Sequence, residues 1–88
     1  MRILLLGDVC GPAGMKIVQS KLSKIIKEKK IDFTIANGEN AAENGKGITK
    51  KNFKDLIDSG VDVVTSGNHI WDQKEILEII DKEKKLIR

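Results

Sequence analysis

The chain has no tyrosine, two phenylalanines and one tryptophan, so its core must be built mostly from Ile, Leu and Val. Its single cysteine, Cys10, excludes an internal disulfide and fits a reducing compartment. No apolar run approaches the length of a membrane span. The N-terminal Ile3-Leu4-Leu5-Leu6 is too short for the apolar region of a signal peptide and is cut off by Gly7-Asp8. A cytoplasmic protein with no membrane partner is therefore expected. Charge of one sign is also missing. Sixteen basic residues against thirteen acidic ones give +3, well short of a basic nucleic-acid-binding surface, and no specific nucleic-acid binding is expected.

What remains is a short chain with a soluble, globular composition, 40% hydrophobic and 33% charged. At 88 residues it is at most one domain. A chain of this size buries only about 60–65% of its unfolded surface, so modest stability is expected.

Arg2-Ile3-Leu4-Leu5-Leu6 is a continuous apolar run, the pattern of a strand covered on both faces in a parallel sheet. A Gly-rich turn, Gly7 to Gly14, follows. Pro12 fits the first turn of the next helix, where its missing N–H costs nothing. Ile17, Val18, Leu22, Ile25 and Ile26 then recur at helical spacing, and the helix ends near Lys29-Lys30, where cations suit its negative end. Phe33-Thr34-Ile35-Ala36 reads as a second strand, and Asn37 to Gly47 as a long polar loop. Thr49 is placed as an N-cap, with Ile48 and Phe53 as a hydrophobic staple. Phe53, Leu56 and Ile57 mark the inner face of a second helix, stopped by Gly60. Val61 to Val64 is the third strand. Asp72-Gln73-Lys74-Glu75 matches a capping box, stapled by Trp71 and Ile76, for a third helix with Ile76, Leu77 and Ile80 inward. Lys85 to Arg88 resembles the start of a fourth strand.

This alternation predicts an α/β fold, βαβαβα with a parallel sheet, and leaves the strand order open. Ligands of such sheets bind outside the carboxyl ends of the strands. Each predicted strand end carries a glycine followed by polar residues: Gly7-Asp8, Gly38-Glu39-Asn40 and Gly67-Asn68-His69. The last of these lies in the stretch Thr65 to Asp72, which also holds the only histidine and the only tryptophan.

Gathered at one edge, Asp8 and Glu39 would repel unless a cation or proton lay between them. Oxygen donors from these carboxylates and from Asn40 and Asn68, with the imidazole of His69, suit Mn, Fe or Mg, and Zn less exclusively. Two such ions can polarise a phosphoryl oxygen and activate a water for in-line attack. Taken singly, every residue has a plainer reading. Asp8 can cap a turn, Glu39 and Asn40 can be ordinary loop residues, Asn68 can occupy a left-handed turn, and His69 can be structural. Trp71 reads as packing at a helix entry, and Cys10 as a small thiol rather than a ligand. Lys46, Lys50, Lys51 and Lys54 read as a solvated face. The shared location of the motifs favours the metal reading. A nucleotide-binding reading is weaker, because the first turn matches neither G-x-G-x-x-G nor a P-loop.

In this order, the three motifs resemble the first three of the calcineurin-like metallophosphoesterases. More closely, Ile3 to Val9, Asn37-Gly38-Glu39-Asn40-Ala41-Ala42 and Gly67-Asn68-His69-Ile70-Trp71-Asp72 resemble the bacterial YmdB-type branch, over essentially the whole chain. The resemblance implies the N-terminal portion of an α/β/β/α sandwich, making residues 1–88 a partial domain. It implies a phosphodiesterase with two divalent metal ions, Mn or Fe before Mg or Zn, acting on 2′,3′-cyclic nucleotides or related phosphodiesters. Asp8 would bind one metal, Glu39 bridge both, Asn40 complete the first shell and Asn68 bind the second. His69 would protonate the leaving oxygen. The wider superfamily has histidine where Cys10 stands, whereas the YmdB-type branch also lacks it.

The family's further histidine ligands lie beyond Arg88. A fragment inactive alone is therefore expected, either homo-oligomeric or associating with the missing C-terminal part. The alternative is a non-catalytic α/β module that docks on a partner, suggested by the absent histidines and by a sheet edge left unprotected.

Overall fold

The computed structural model describes residues 1–67 and 83–87. Its elements are β1 (Ile3–Asp8), α1 (Gly11–Lys29), β2 (Phe33–Asn37), α2 (Lys50–Ser59), β3 (Val63–Thr65) and β4 (Leu86–Ile87). The strands form one sheet in the order β1-β2-β3-β4, and each neighbouring pair is parallel. The expected α/β alternation is therefore present, and the strand order follows the chain. The residues expected to form the third helix, with the capping box at Asp72, lie outside the described ones.

One face of the sheet carries both helices. Met15, Val18 and Leu22 of α1 and Phe53 and Leu56 of α2 cluster with Ala36, Val64 and Leu86, and half-buried Leu4, Leu6, Ile26 and Ile57 pack against them. Each fully buried aliphatic side chain of this kind stabilises the fold by about 1.5–3 kcal/mol over an exposed one. The opposite face is open: Ile3 is 54% exposed, Leu5 71%, Phe33 36% and Ile87 48%. The expectation that the β1 run is covered on both faces is thus corrected among the described residues. Among the described residues α1 and α2 lie together on one side, and the apolar run meets a helix layer there.

The inner stripe of α1 is also narrower than its periodicity suggests. Ile17 and Ile25 are 59% and 38% exposed, because among the described residues β1 is the edge strand and the sheet ends beside them. Pro12 does lie in the first turn of α1, and Lys30 closes the helix in a left-handed conformation at φ 54°. The second helix begins as expected. Thr49 Oγ1 accepts from Asn52 N at 3.1 Å, and Asn52 Oδ1 accepts from Thr49 N at 3.1 Å, so two otherwise orphaned donors are satisfied.

β3 starts two residues later than the sequence predicts. Asp62 precedes it because its carboxylate, rather than a main-chain carbonyl, accepts the Thr34 N–H at 2.8 Å. Asp62 N in turn donates to Thr34 O at 2.8 Å, so the chain is already tied to β2 at this point. The fourth strand forms as a two-residue segment.

Candidate functional site

β1 continues through Gly7 to Asp8, beyond its expected end at Leu6. Leu6 pairs with Ala36 and Asp8 with Asn37, so Gly7 is an extra residue in the ladder. Such a bulge re-aims the residue that follows it. By simple alternation Asp8 would share the helix-covered face with Leu4 and Leu6. The bulge instead gives it the register of Asn37, and Asp8 is exposed.

From β2 the chain runs directly into Gly38-Glu39-Asn40. Asn37 Oδ1 accepts from Glu39 N at 2.9 Å, a side-chain turn that brings Glu39 round the end of the strand. Gly38 is buried, and a Cβ there would lie 2.9 Å from Val64 Cγ1 and 3.0 Å from Ile48 Cδ1. Only a bare backbone lets the loop settle this deeply. Further along, Gly47 N donates to Glu39 O at 2.6 Å and Ala42 N to Gly47 O at 3.0 Å, folding the long loop back on itself.

The first two motifs meet directly. Asn40 Nδ2 donates to both carboxylate oxygens of Asp8, at 3.1 and 3.0 Å. The third motif arrives beside Glu39. Gly67 has φ +58°, and a Cβ on it would collide with Glu39 Oε2 and lie 2.6 Å from Glu39 Cδ. Both the left-handed backbone and the lack of space require glycine at this position.

Main-chain bonds fix these approaches. Val9 N donates to Asn37 O at 3.0 Å, Gly11 N to Asn40 O at 2.9 Å, and Gly38 N to Thr65 O at 2.7 Å. Ser66, fully buried, donates to Ile87 O from its N–H at 2.8 Å and from Oγ at 3.0 Å.

Of the residues singled out from sequence, Asp8, Glu39 and Asn40 therefore gather at the carboxyl edge of the sheet. Asn68 and His69 lie outside the described residues. Cys10 is exposed at the N-cap of α1 and makes no capping bond. Lys51 pairs with Asp55 at 3.0 Å on the exposed side of α2. Among the described residues no three His, Cys, Asp or Glu side chains come together as a metal-binding group. Two carboxylates and a side-chain amide are nonetheless donors of the hard type that Mn, Mg or Fe accepts. A shallow cavity of about 260 Å³, lined by Leu6, Gly7, Asp8, Val9, Gly14, Ile17 and Val18, opens beside Asp8.

Two residues given no role from the sequence, Asn37 and Ser66, position the site. An Asn two residues before Glu39 is a recognisable signal for a side-chain turn. Ser66 carried none, because its partner belongs to a strand of only two residues.

The family model described as YmdB-like protein matches residues 4–88. A Bacillus subtilis relative named 2′,3′-cyclic-nucleotide 2′-phosphodiesterase is 50% identical over the whole chain, which spans 33% of it. A Mycoplasma genitalium relative named as a phosphatase/phosphodiesterase is 41% identical over the whole chain, covering 31% of that protein. Among solved structures, a Thermus thermophilus protein superposes with a TM-score of 0.90 at 41% identity, over all of this chain and 33% of that one. A Mycoplasma pneumoniae phosphatase does so with 0.89 at 37% identity, over 98% of this chain and 30% of its own. The chain thus spans about a third of the length of these relatives, at their N-terminal end. It belongs to the YmdB-like family.

Proposed function

We propose that the chain is the N-terminal part of a dimetal phosphodiesterase acting on 2′,3′-cyclic nucleotides or related cyclic phosphodiesters, and that it is competent once the remaining length of the family's domain completes the site. The observation that carries this reading is the meeting of the three strand-end motifs: Asn40 on Asp8, and Gly67 against Glu39.

In this reading Asp8 and Glu39 would hold the cations, and Glu39, which lies against Gly67 of the third motif, would serve both. Asn40 has two tasks. Its amide N–H group holds the Asp8 carboxylate, which leaves its carbonyl oxygen for the first cation. Asn68 supplies the corresponding oxygen to the second, and His69 stands next to it as the proton donor to the leaving oxygen. Two divalent ions, Mn or Fe before Mg or Zn, would polarise the phosphoryl group and activate the attacking water. The four oxygen-bearing side chains of this segment would leave most of the positions around two ions to water and to ligands from outside it.

The test is hydrolysis of 2′,3′-cyclic AMP with Mn²⁺ by a chimera that joins residues 1–88 to the remaining two-thirds of the Bacillus subtilis relative. Metal-dependent turnover is expected, with Asp8→Asn lowering kcat/KM by at least about 100-fold, about 2.7 kcal/mol of transition-state stabilisation. Absence of turnover in the unsubstituted chimera overturns the reading. Calorimetric titration of the 88-residue chain alone with Mn²⁺ addresses the alternative of a non-catalytic docking module. Tight two-site binding contradicts that alternative.

A further inference from the structure

β1, β2 and β3 release their loops to the candidate metal edge from one row of the sheet, Asp8, Asn37 and Thr65, in which Asn37 stands between the other two. Its main chain belongs to the frame: Asn37 O accepts from Val9 N at 3.0 Å, and the next residue, Gly38, donates from N to Thr65 O at 2.7 Å. Its half-buried side chain serves a different end. Oδ1 accepts from Glu39 N at 2.9 Å, and that bond assigns the amide, because only its oxygen can receive an N–H.

The candidate ligands are held by two separate means. Asn40 is placed without help from the Asn37 side chain: its carbonyl accepts from Gly11 N at 2.9 Å, and its amide donates to both oxygens of Asp8. Glu39 has its carbonyl on Gly47 N, its N–H on Asn37 Oδ1 and its carboxylate against Gly67. Removing the Asn37 side chain therefore releases one end of the Glu39 residue and leaves the bonds of Asp8 and Asn40 in place. The residue type suits this task. A turn of this kind needs a short side-chain acceptor, and Asp would add a third carboxylate beside Asp8 and Glu39. Asn supplies the acceptor without the charge.

We propose that Asn37 is a positioning residue whose side-chain carbonyl fixes Glu39 as the ligand shared between two cations, so that its loss weakens the cation toward the third motif and largely spares the one held by Asp8 and Asn40. The proposal rests on the reading of Asp8, Glu39 and Asn40 as cation ligands. It adds a division of labour within that group. The first cation depends on a side-chain pair that is tied to α1, and the second depends on how firmly the Asn37 turn holds one loop residue. A partner that orients a ligand without touching the metal commonly carries about 10–100-fold of the metal affinity.

The experiment strips the chimera of residues 1–88 and the Bacillus subtilis remainder of metal and titrates it with Mn²⁺, followed by calorimetry and electron paramagnetic resonance. The unsubstituted chimera should take up two ions and show their spin coupling. Asn37→Ala should weaken the second ion by about 10–100-fold, with loss of the coupled signal at the same Mn²⁺ concentration, while the first ion changes by less than about threefold. In the metal-free protein the Glu39 amide should exchange with deuterium at least about tenfold faster in Asn37→Ala, with an unchanged circular dichroism spectrum. Asn37→Asp keeps the acceptor and should restore slow exchange and the second ion. Asn37→Ser, whose hydroxyl accepts more weakly, should fall between the two. Equal weakening of both ions overturns the proposal, as does any order of effects other than Asp, Ser, Ala. A pair of ions bound equally well by Asn37→Ala and the unsubstituted chimera overturns this proposal alone. An unsubstituted chimera that takes up no pair overturns the dimetal reading and this proposal with it.

Discussion

The two faces of the sheet are written in the same alphabet and have different fates. Beneath the helices, Ala36, Val64 and Leu86 join Leu22 and Leu56 in a closed cluster. On the reverse, Ile3, Leu5 and Ile87 are about half exposed or more. An apolar strand residue thus records a capacity for burial, and the neighbouring layer decides whether that capacity is used. Because the strands are apolar on both sides while α1 and α2 fall on one, this segment reads as one half of a layered structure.

Substitutions on the two faces turn that contrast into measurements. Leu56→Ala, at a fully buried position, should destabilise the chain by about 2–5 kcal/mol in urea denaturation, the range for large-to-small changes in a packed core. A loss under about 1 kcal/mol would mean that the covered face is loosely packed, and the contrast would collapse. Gly38→Ala should cost about 1–3 kcal/mol, because its methyl group would press on Val64 and Ile48 beneath the site. Thr49→Ala, which removes the cap of α2, should cost about 1 kcal/mol and lower the helical circular dichroism signal. Leu5→Gln on the open face should change stability by less than about 0.5 kcal/mol. A larger penalty in the isolated chain would show that this face is already covered.

The order of strands and helices, the Thr49 cap and the Gly60 stop could all be read from periodicity and capping chemistry, because these signals act within a few residues. The strand order, the open face and the flank position of Ile17 and Ile25 could not. They depend on where the sheet ends, which periodicity along one helix does not record. The site divides in the same way. The topology of a parallel sheet places Asp8, Glu39 and Asn40 at one edge, and they are found there. Their detailed aim depends on two devices with weak sequence signals: the extra residue at Gly7 and the turn made by Asn37. Asp62 shows a further limit. A carboxylate that stands in for a ladder carbonyl delays β3 by two residues, while the pattern Val61-Asp62-Val63-Val64 looks like an ordinary strand.

The ties between the loops are made almost wholly by backbone atoms: Gly11 to Asn40, Gly38 to Thr65, Ser66 to Ile87. One further tie does use the reactive groups, since Asn40 Nδ2 donates to both oxygens of the Asp8 carboxylate. The frame of the site therefore rests chiefly on main-chain bonds, which a change of side chain at Asp8 leaves in place even where it alters the contact with Asn40. A frame held by main-chain bonds accepts new side chains at its rim without having to fold anew.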